Sequence, residues 1–174
     1  MKSVVTGVLL VLMSYFLFIT GANSESKTVL VNGIYLVTRE AASEAELKPV
    51  DEDSEKMLVN DYSFFEDSER QKPVYLVIKK SPFVPILLKN KPELAKDKEG
   101  KPKLLIALKD SQVKNLAEFT TTNKGKEIAI VIGGKVVSCH KIKEPIEGGK
   151  IQFTRCTDNG CQVIYSELIK NEES

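Results

Sequence analysis

The most regular apolar patterning lies in the second half of the chain. Lys103-Leu-Leu-Ile-Ala-Leu-Lys109 is a near-continuous apolar run of strand length, which predicts a strand buried on both faces. Asp110 stands where a helix needs an N-cap, with a carboxylate able to accept from free N–H groups of the first turn. Val113, Leu116, Ala117 and Thr120 follow at helical spacing with Phe119 beside them, and Asn123-Lys124-Gly125 supplies a stop. Glu127-Ile-Ala-Ile-Val-Ile132 and the run from Lys135 to Ile142 then flank Gly133-Gly134. That arrangement predicts a hairpin, because both turn residues of a two-residue loop need positive φ. Residues 144–149 read as a loop, 150–155 as a strand, 157–160 as a turn and 162–165 as a last strand.

Earlier positions are less regular. Thr28-Val-Leu-Val and Gly33-Ile-Tyr-Leu-Val-Thr38 read as a strand or strand pair. Residues 40–70 are mixed and polar, weakly helical over 41–47 and then acidic loop. Pro73-Val-Tyr-Leu-Val-Ile-Lys79 reads as a strand, with Pro at its start where a missing N–H does little harm. Ser81-Pro82-Phe83-Val84-Pro85 is expected to break it, and residues 89–103, with two Pro and one Gly, to form a loop. These elements imply an α+β fold, a mixed or mainly antiparallel sheet with one principal helix packed on a face. Val113, Leu116, Ile128, Ile130, Val136 and Phe153 are the expected core.

The first 24 residues follow a different rule. Lys2 precedes an apolar run from Val4 to Ile19, and small residues at Thr20, Ala22 and Ser24 suit signal-peptidase cleavage. The expectation is a cleaved signal peptide over 1–24, the alternative being an uncleaved membrane anchor. With no Cys near the boundary, a lipid anchor is not expected. The mature part divides into an acidic N-terminal part of the domain, 25–72, and an α+β portion, 73–174, that holds most of the regular elements. Charge follows the same division: residues 25–70 carry 12 acidic and 5 basic side chains, residues 71–174 carry 19 basic and 12 acidic. Either the two halves attract one another in the fold, or a basic face meets an acidic partner or an anionic membrane surface. A formal net charge of +1 gives no global reason to expect nucleic acid, and the few aromatics are not interleaved with basic residues.

Several short motifs share one order. Asn123-Lys124-Gly125-Lys126 follows the helix, Ala129-Ile130-Val131 lies in the next strand, Gly134-Lys135-Val136-Val137 leaves the turn, and Pro145-Ile146-Glu147-Gly148-Gly149 forms the loop after it. Over residues 116–153 this succession resembles the head subdomain of the first periplasmic domain of SecD, the export-assisting partner of the bacterial protein translocon. The strand at 103–109 fits the same resemblance. This chain has Gly133 where the family usually carries Asp, and Cys139-His140 where it usually has a small residue and Pro. After Phe153 the family commonly enters a helix, whereas this sequence reads as a cysteine-flanked hairpin. The resemblance implies a free-standing exported head-like domain that touches emerging polypeptide.

Little else in the chain suggests chemistry. Cys139 and His140 are neighbours on a predicted strand and so point to opposite faces, which denies them a nucleophile–base dyad. Cys156 and Cys161 bracket a short turn and are expected to form a disulfide in an oxidising compartment, with two free thiols as the alternative. Cys139 is then a buried apolar-like residue or a competitor for that bond. A zinc site from Cys139 or His140 with Cys156 and Cys161 is a lesser reading. Gly133-Gly134 does not open a helix and is no phosphate cradle. No catalytic residues, cofactor or metal are expected. The expected function is a non-enzymatic exported module that binds polypeptide or a protein partner. Its contact is expected through Lys124, Lys126, Gly133, Gly134, Lys135, Pro145, Glu147, Gly148 and Gly149, or by strand addition at an open sheet edge. The alternative is an accessory docking domain of a cell-envelope assembly.

Overall fold

A computed structural model describes residues 30–66, 71–157 and 159–170, so the expected signal peptide over 1–24 lies outside the described residues. The strands are β1 (Gly33–Ala41), β2 (Glu55–Asn60), β3 (Val74–Pro85), β4 (Glu93–Lys96), β5 (Pro102–Ala107), β6 (Glu127–Ile132), β7 (Lys135–Lys141) and β8 (Lys150–Thr154). The helices are α1 (Asp110–Thr122) and α2 (Gly160–Lys170), with a short 3-10 turn at Glu44–Leu47. One sheet has the order β2-β3-β1-β6-β7 and a second the order β4-β5-β8, every registered pair being antiparallel. The fold is α+β.

Strands β2 and β7, at opposite edges of the larger sheet, approach one another, so that sheet curls around an interior. Tyr35, Leu76, Ile78, Ala129, Val131 and Val136 fill it. Alternate residues of the same strands point outward into a second core. Ile34, Ile128, Ile130, Ile132 and Val137 meet Leu104 and Ile106 of β5, Phe153 of β8, and Leu116, Ile164 and Leu168 of the helices. This double burial is why β6 reads as an unbroken apolar run: Ala129 and Val131 serve one core, their neighbours the other. Burying a residue such as Leu116, fully enclosed here, contributes roughly 1.5–3 kcal/mol. Leu116, Ile128, Ile130, Val136 and Phe153 are all buried, as the patterning implies.

Five expectations are corrected. Val113 is only half-buried. The inward face of α1 is Gln112, Leu116, Phe119 and Thr120, rotated by about one residue from the predicted stripe. Asp110 is the first helical residue and not the cap. Lys109 occupies the cap with no side-chain bond, and the Asp110 carboxylate instead pairs with Lys89 Nζ at 2.8 Å. The Ser81–Pro85 segment does not end β3, which runs through a cis Ser81–Pro82 bond to pair Val84 with Ile34 and Pro85 with Gly33. β2 and β4 lie in stretches read as loop. The paired charges of Glu55 and Lys56 masked the first, and flanking Pro and charge masked the second. The fifth concerns the C-terminus: residues 162–165 belong to a second helix, not a strand. Cys161, Ile164 and Leu168 recur at helical spacing on its buried face, and the β-branched pair Val163-Ile164 hid that period.

The acidic first part is woven into the rest. β1 lies between β3 and β6, and Glu66 pairs with Lys101 at 2.7 Å while Lys80 Nζ donates to the Glu52 carbonyl.

Candidate functional site

The residues expected to make contact fall into two groups at opposite ends of β6. Six residues of strand separate them by about 20 Å.

At the first end, residues 142–149 form a strap along α1. Gly125 N donates to the Ile142 carbonyl at 2.8 Å, and Ile142 N donates back to Lys126 at 2.8 Å. Lys124 Nζ meets Glu144 Oε2 at 2.8 Å across the gap, both groups largely exposed. Ile146 N donates to Thr120 Oγ1 at 2.9 Å, and that buried hydroxyl donates on to the Leu116 carbonyl at 2.7 Å. Gly149 closes the strap. Its φ is +60°, a Cβ there would overlap Val113 Cγ2, and its carbonyl accepts from Leu108 N at 2.9 Å. Lys124, Lys126, Pro145, Glu147 and Gly148 therefore share one surface, a polar rim over the helix, with Gly149 buried beneath it.

At the other end sits the β6–β7 turn. Gly133 and Gly134 have φ of +59° and +75°, the pair of positive values a tight two-residue hairpin requires. Gly133 N donates to the Oδ1 of Asn32 at 2.8 Å, a side chain only 7% exposed. A shallow pocket of about 60 Å³ opens beside the turn between Lys135, Phe64, Val163 and Glu167 of α2. Gly133, Gly134 and Lys135 thus belong to a second surface.

The cysteines separate by role. Cys156 and Cys161 are joined by a disulfide with Cα atoms 5.4 Å apart. It ties the chain after β8 to the first turn of α2, and both residues are buried. With these thiols bonded, they offer no ligands to zinc, and among the described residues no group of three or more His, Cys, Asp or Glu could hold a metal ion. Cys139 is free and faces the interior of the curled sheet, while His140 beside it is exposed. Burial, with help from Glu127 and Glu40, pushes the Cys139 thiol up to about 12, so it stays protonated and is a poor nucleophile.

The family model of the SecDF P1 head subdomain matches residues 63–159. The chain belongs to that family. The protein translocase subunit SecD of Acidaminococcus fermentans is 36% identical over 62 residues, covering 36% of this chain and 15% of that protein. The SecD of Thermobaculum terrenum is 38% identical over 69 residues, covering 40% of this chain and 13% of its own. This chain therefore corresponds to a small part of these relatives. A crystal structure of SecDF in its super-membrane-facing form aligns with 79% of this chain and 18% of its own, at 18% identity and a TM-score of 0.46. Among the described residues no helix is long and apolar enough to cross a membrane.

Within this P1 head the motif segments take distinct structural roles. Residues 123–126 and 145–149 build the strap, 129–131 lie in the strand shared by both cores, and 134–137 leave the turn. The motif order is thus largely an order of structural constraints. Sequence reading did not single out Arg39, Glu40, Lys79 and Glu127, which line a larger cleft of about 480 Å³ beside β1. They share no motif, and only strand register brings them together.

Proposed function

We propose that this P1 head is an exported, non-enzymatic binding module that contacts polypeptide in connection with protein translocation. The observation that carries the reading is the family match across residues 63–159, with relatives that are themselves translocase subunits. The chemistry of the chain agrees with binding over catalysis. Cys139 is a protonated, enclosed thiol, and His140 faces away from it. The strap and the hairpin tip offer exposed Lys and Glu side chains on a rigid frame, suited to contact without bond-making. Residues 1–24 act as the export signal, 25–72 supply the acidic part of the domain, and 73–174 supply the head-like remainder.

The test is photo-crosslinking in cells, with probes placed at Lys135 and at Glu147 so that each surface reports separately. Capture of many exported polypeptides, or of translocon subunits, supports the reading. Capture of one defined envelope protein from both positions would make the domain a docking module and remove the translocation link.

A further inference from the structure

We propose that the outward face of the three-stranded sheet β4-β5-β8 binds an acidic segment of extended polypeptide. This rests on the polypeptide-contact reading and gives that contact a partner chemistry and a place apart from the strap and the hairpin tip. Strand alternation defines the face. Leu104 and Ile106 of β5 are buried in the core shared with the helices, so Lys103, Leu105 and Ala107 point the other way. Register carries the same face across both neighbours. Ala95 and Thr154 lie beside Lys103, Glu93 and Gln152 beside Leu105, and Lys150 beside Ala107. The flanking Glu93, Lys150, Gln152 and Thr154 are exposed, and the three central residues are half-buried between them.

Charge on this sheet is one-sided. Residues 93–109 and 150–155 carry seven Lys and Arg against three Asp and Glu. Lys103 and Lys150 stand on the face itself, with Lys109 just beyond the end of β5 and Arg155 just beyond the end of β8. None of these four cations has an ion-pair partner among the described residues. The carboxylates nearby are engaged elsewhere: Glu66 with Lys101, Asp110 with Lys89, and an Asp97 oxygen with the amides of Glu99 and Lys101. Glu93 is the sole carboxylate that the three strands contribute to this face.

The spacing of the cations selects the occupant. The rows that hold Lys103 and Lys150 are four residues apart along the strands, roughly 13 Å, with Leu105 midway. An extended chain with carboxylates at positions i and i+4 and a small apolar residue at i+2 repeats that pattern, because its alternate side chains share one side. Each carboxylate then meets a lysine, and the apolar residue covers Leu105. A lipid surface fits less well. Binding flat on a bilayer draws on large apolar side chains set among the headgroups. The exposed ones in this protein are Val31, Val59, Leu87, Leu94 and Val163, and none belongs to this face. Leu94 pairs with the buried Leu104 and so lies on the opposite side.

The test titrates the whole protein, observed by amide NMR, with the end-capped peptide Gly-Glu-Ser-Val-Ser-Glu-Gly and with the same peptide carrying Lys for Glu. The acidic peptide should shift the amides of residues 93–96, 102–107 and 150–154, and the basic one should not. Lys103→Gln combined with Lys150→Gln should weaken binding by about threefold or more, the worth of two exposed ion pairs. Should that variant unfold, Gln152→Glu adds a carboxylate at an exposed position, removes neither lysine and should weaken binding in the same sense. Equal shifts from both peptides, or none from the acidic one, overturn the proposal. So does a response confined to residues 123–126, 133–137 or 144–149, which leaves the polypeptide-contact reading standing. Cosedimentation with phosphatidylglycerol vesicles that disappears in the double variant would assign the face to lipid and overturn the proposal as well. Failure of carboxymethylated α-lactalbumin, an unfolded acidic chain, to shift any amide would remove the polypeptide-contact reading too.

Discussion

Gly148 and Gly149 are adjacent in the loop that runs beneath α1, yet only the second should resist substitution. Gly149 has φ +60°, and a Cβ added there would overlap Val113 Cγ2; around Gly148 nothing lies within 4 Å and φ is ordinary. For an L-residue the left-handed conformation costs about 1–2 kcal/mol. Forcing a methyl into an occupied position adds roughly 1–3 kcal/mol. Gly149→Ala should therefore destabilise by about 2–5 kcal/mol, against under about 0.5 kcal/mol for Gly148→Ala. Urea unfolding followed by far-UV circular dichroism measures both, at an unchanged dependence on denaturant. The two contributions separate in a double-mutant cycle. In a Val113→Ala background the overlap with Cγ2 is gone, only the Cβ contact at 3.3 Å remains and the backbone part stays, so Gly149→Ala should then cost close to the backbone part, about 1–2 kcal/mol. Equal cost in both backgrounds would refute the steric argument, and a Gly149→Ala variant as stable as the unmodified protein would refute the whole account.

Three further outcomes follow from the same structure. Replacing both Cys156 and Cys161 by Ser opens a loop of sequence separation 5 and should lower unfolding stability by about 2 kcal/mol, read from the urea midpoint. Thr120→Val keeps the shape but leaves the Ile146 N–H without its acceptor, and a loss of roughly 1–3 kcal/mol is expected in the same assay; a change within error would mean that the loop re-pairs. Glu127 sits with its carboxyl raised above the ordinary range by burial and by Glu40, against the opposing effect of Lys141. The folded state then holds a proton that the unfolded chain releases earlier, so stability falls as pH rises from the ordinary carboxylate range through the raised value. Glu127→Gln should flatten that part of a melting-temperature profile, and an unchanged slope would assign the effect elsewhere.

How far the sequence revealed this architecture depended on which faces were buried. β6 and the strand at residues 102–107 were readable because both their faces meet apolar partners, leaving little polar interruption. β2 was not, since it opens on two charged residues of its six and its identity comes from pairing with β3. α2 was missed because Val163, Ile164 and Tyr165 have strand-like propensity, and only packing of Cys161, Ile164 and Leu168 decides for helix. The contact residues were legible as motifs but not as a place. Residues 124 to 149 look continuous in sequence, yet β6 carries Gly133 far from Lys126. The cleft beside β1 was invisible for a related reason, because the end of a ladder is a property of register that no local pattern records.

The central position of β1 also bears on the order in which the molecule can assemble. Its two neighbours come from far along the chain: Gly33 pairs with Pro85 on one side and Val131 on the other. A chain emerging from its N-terminus makes this strand first and completes it late, after nearly a hundred intervening residues have appeared. Such long-range pairing places a heavy loop-closure entropy before the contacts that repay it, which puts folding in the slower, millisecond-to-second regime. β3 can cover one edge of β1 once Pro85 has appeared, but the other edge stays open until Val131, able to join whatever extended chain lies nearby. Rapid delivery of the β6–β7 hairpin is thus the event that ends its exposure.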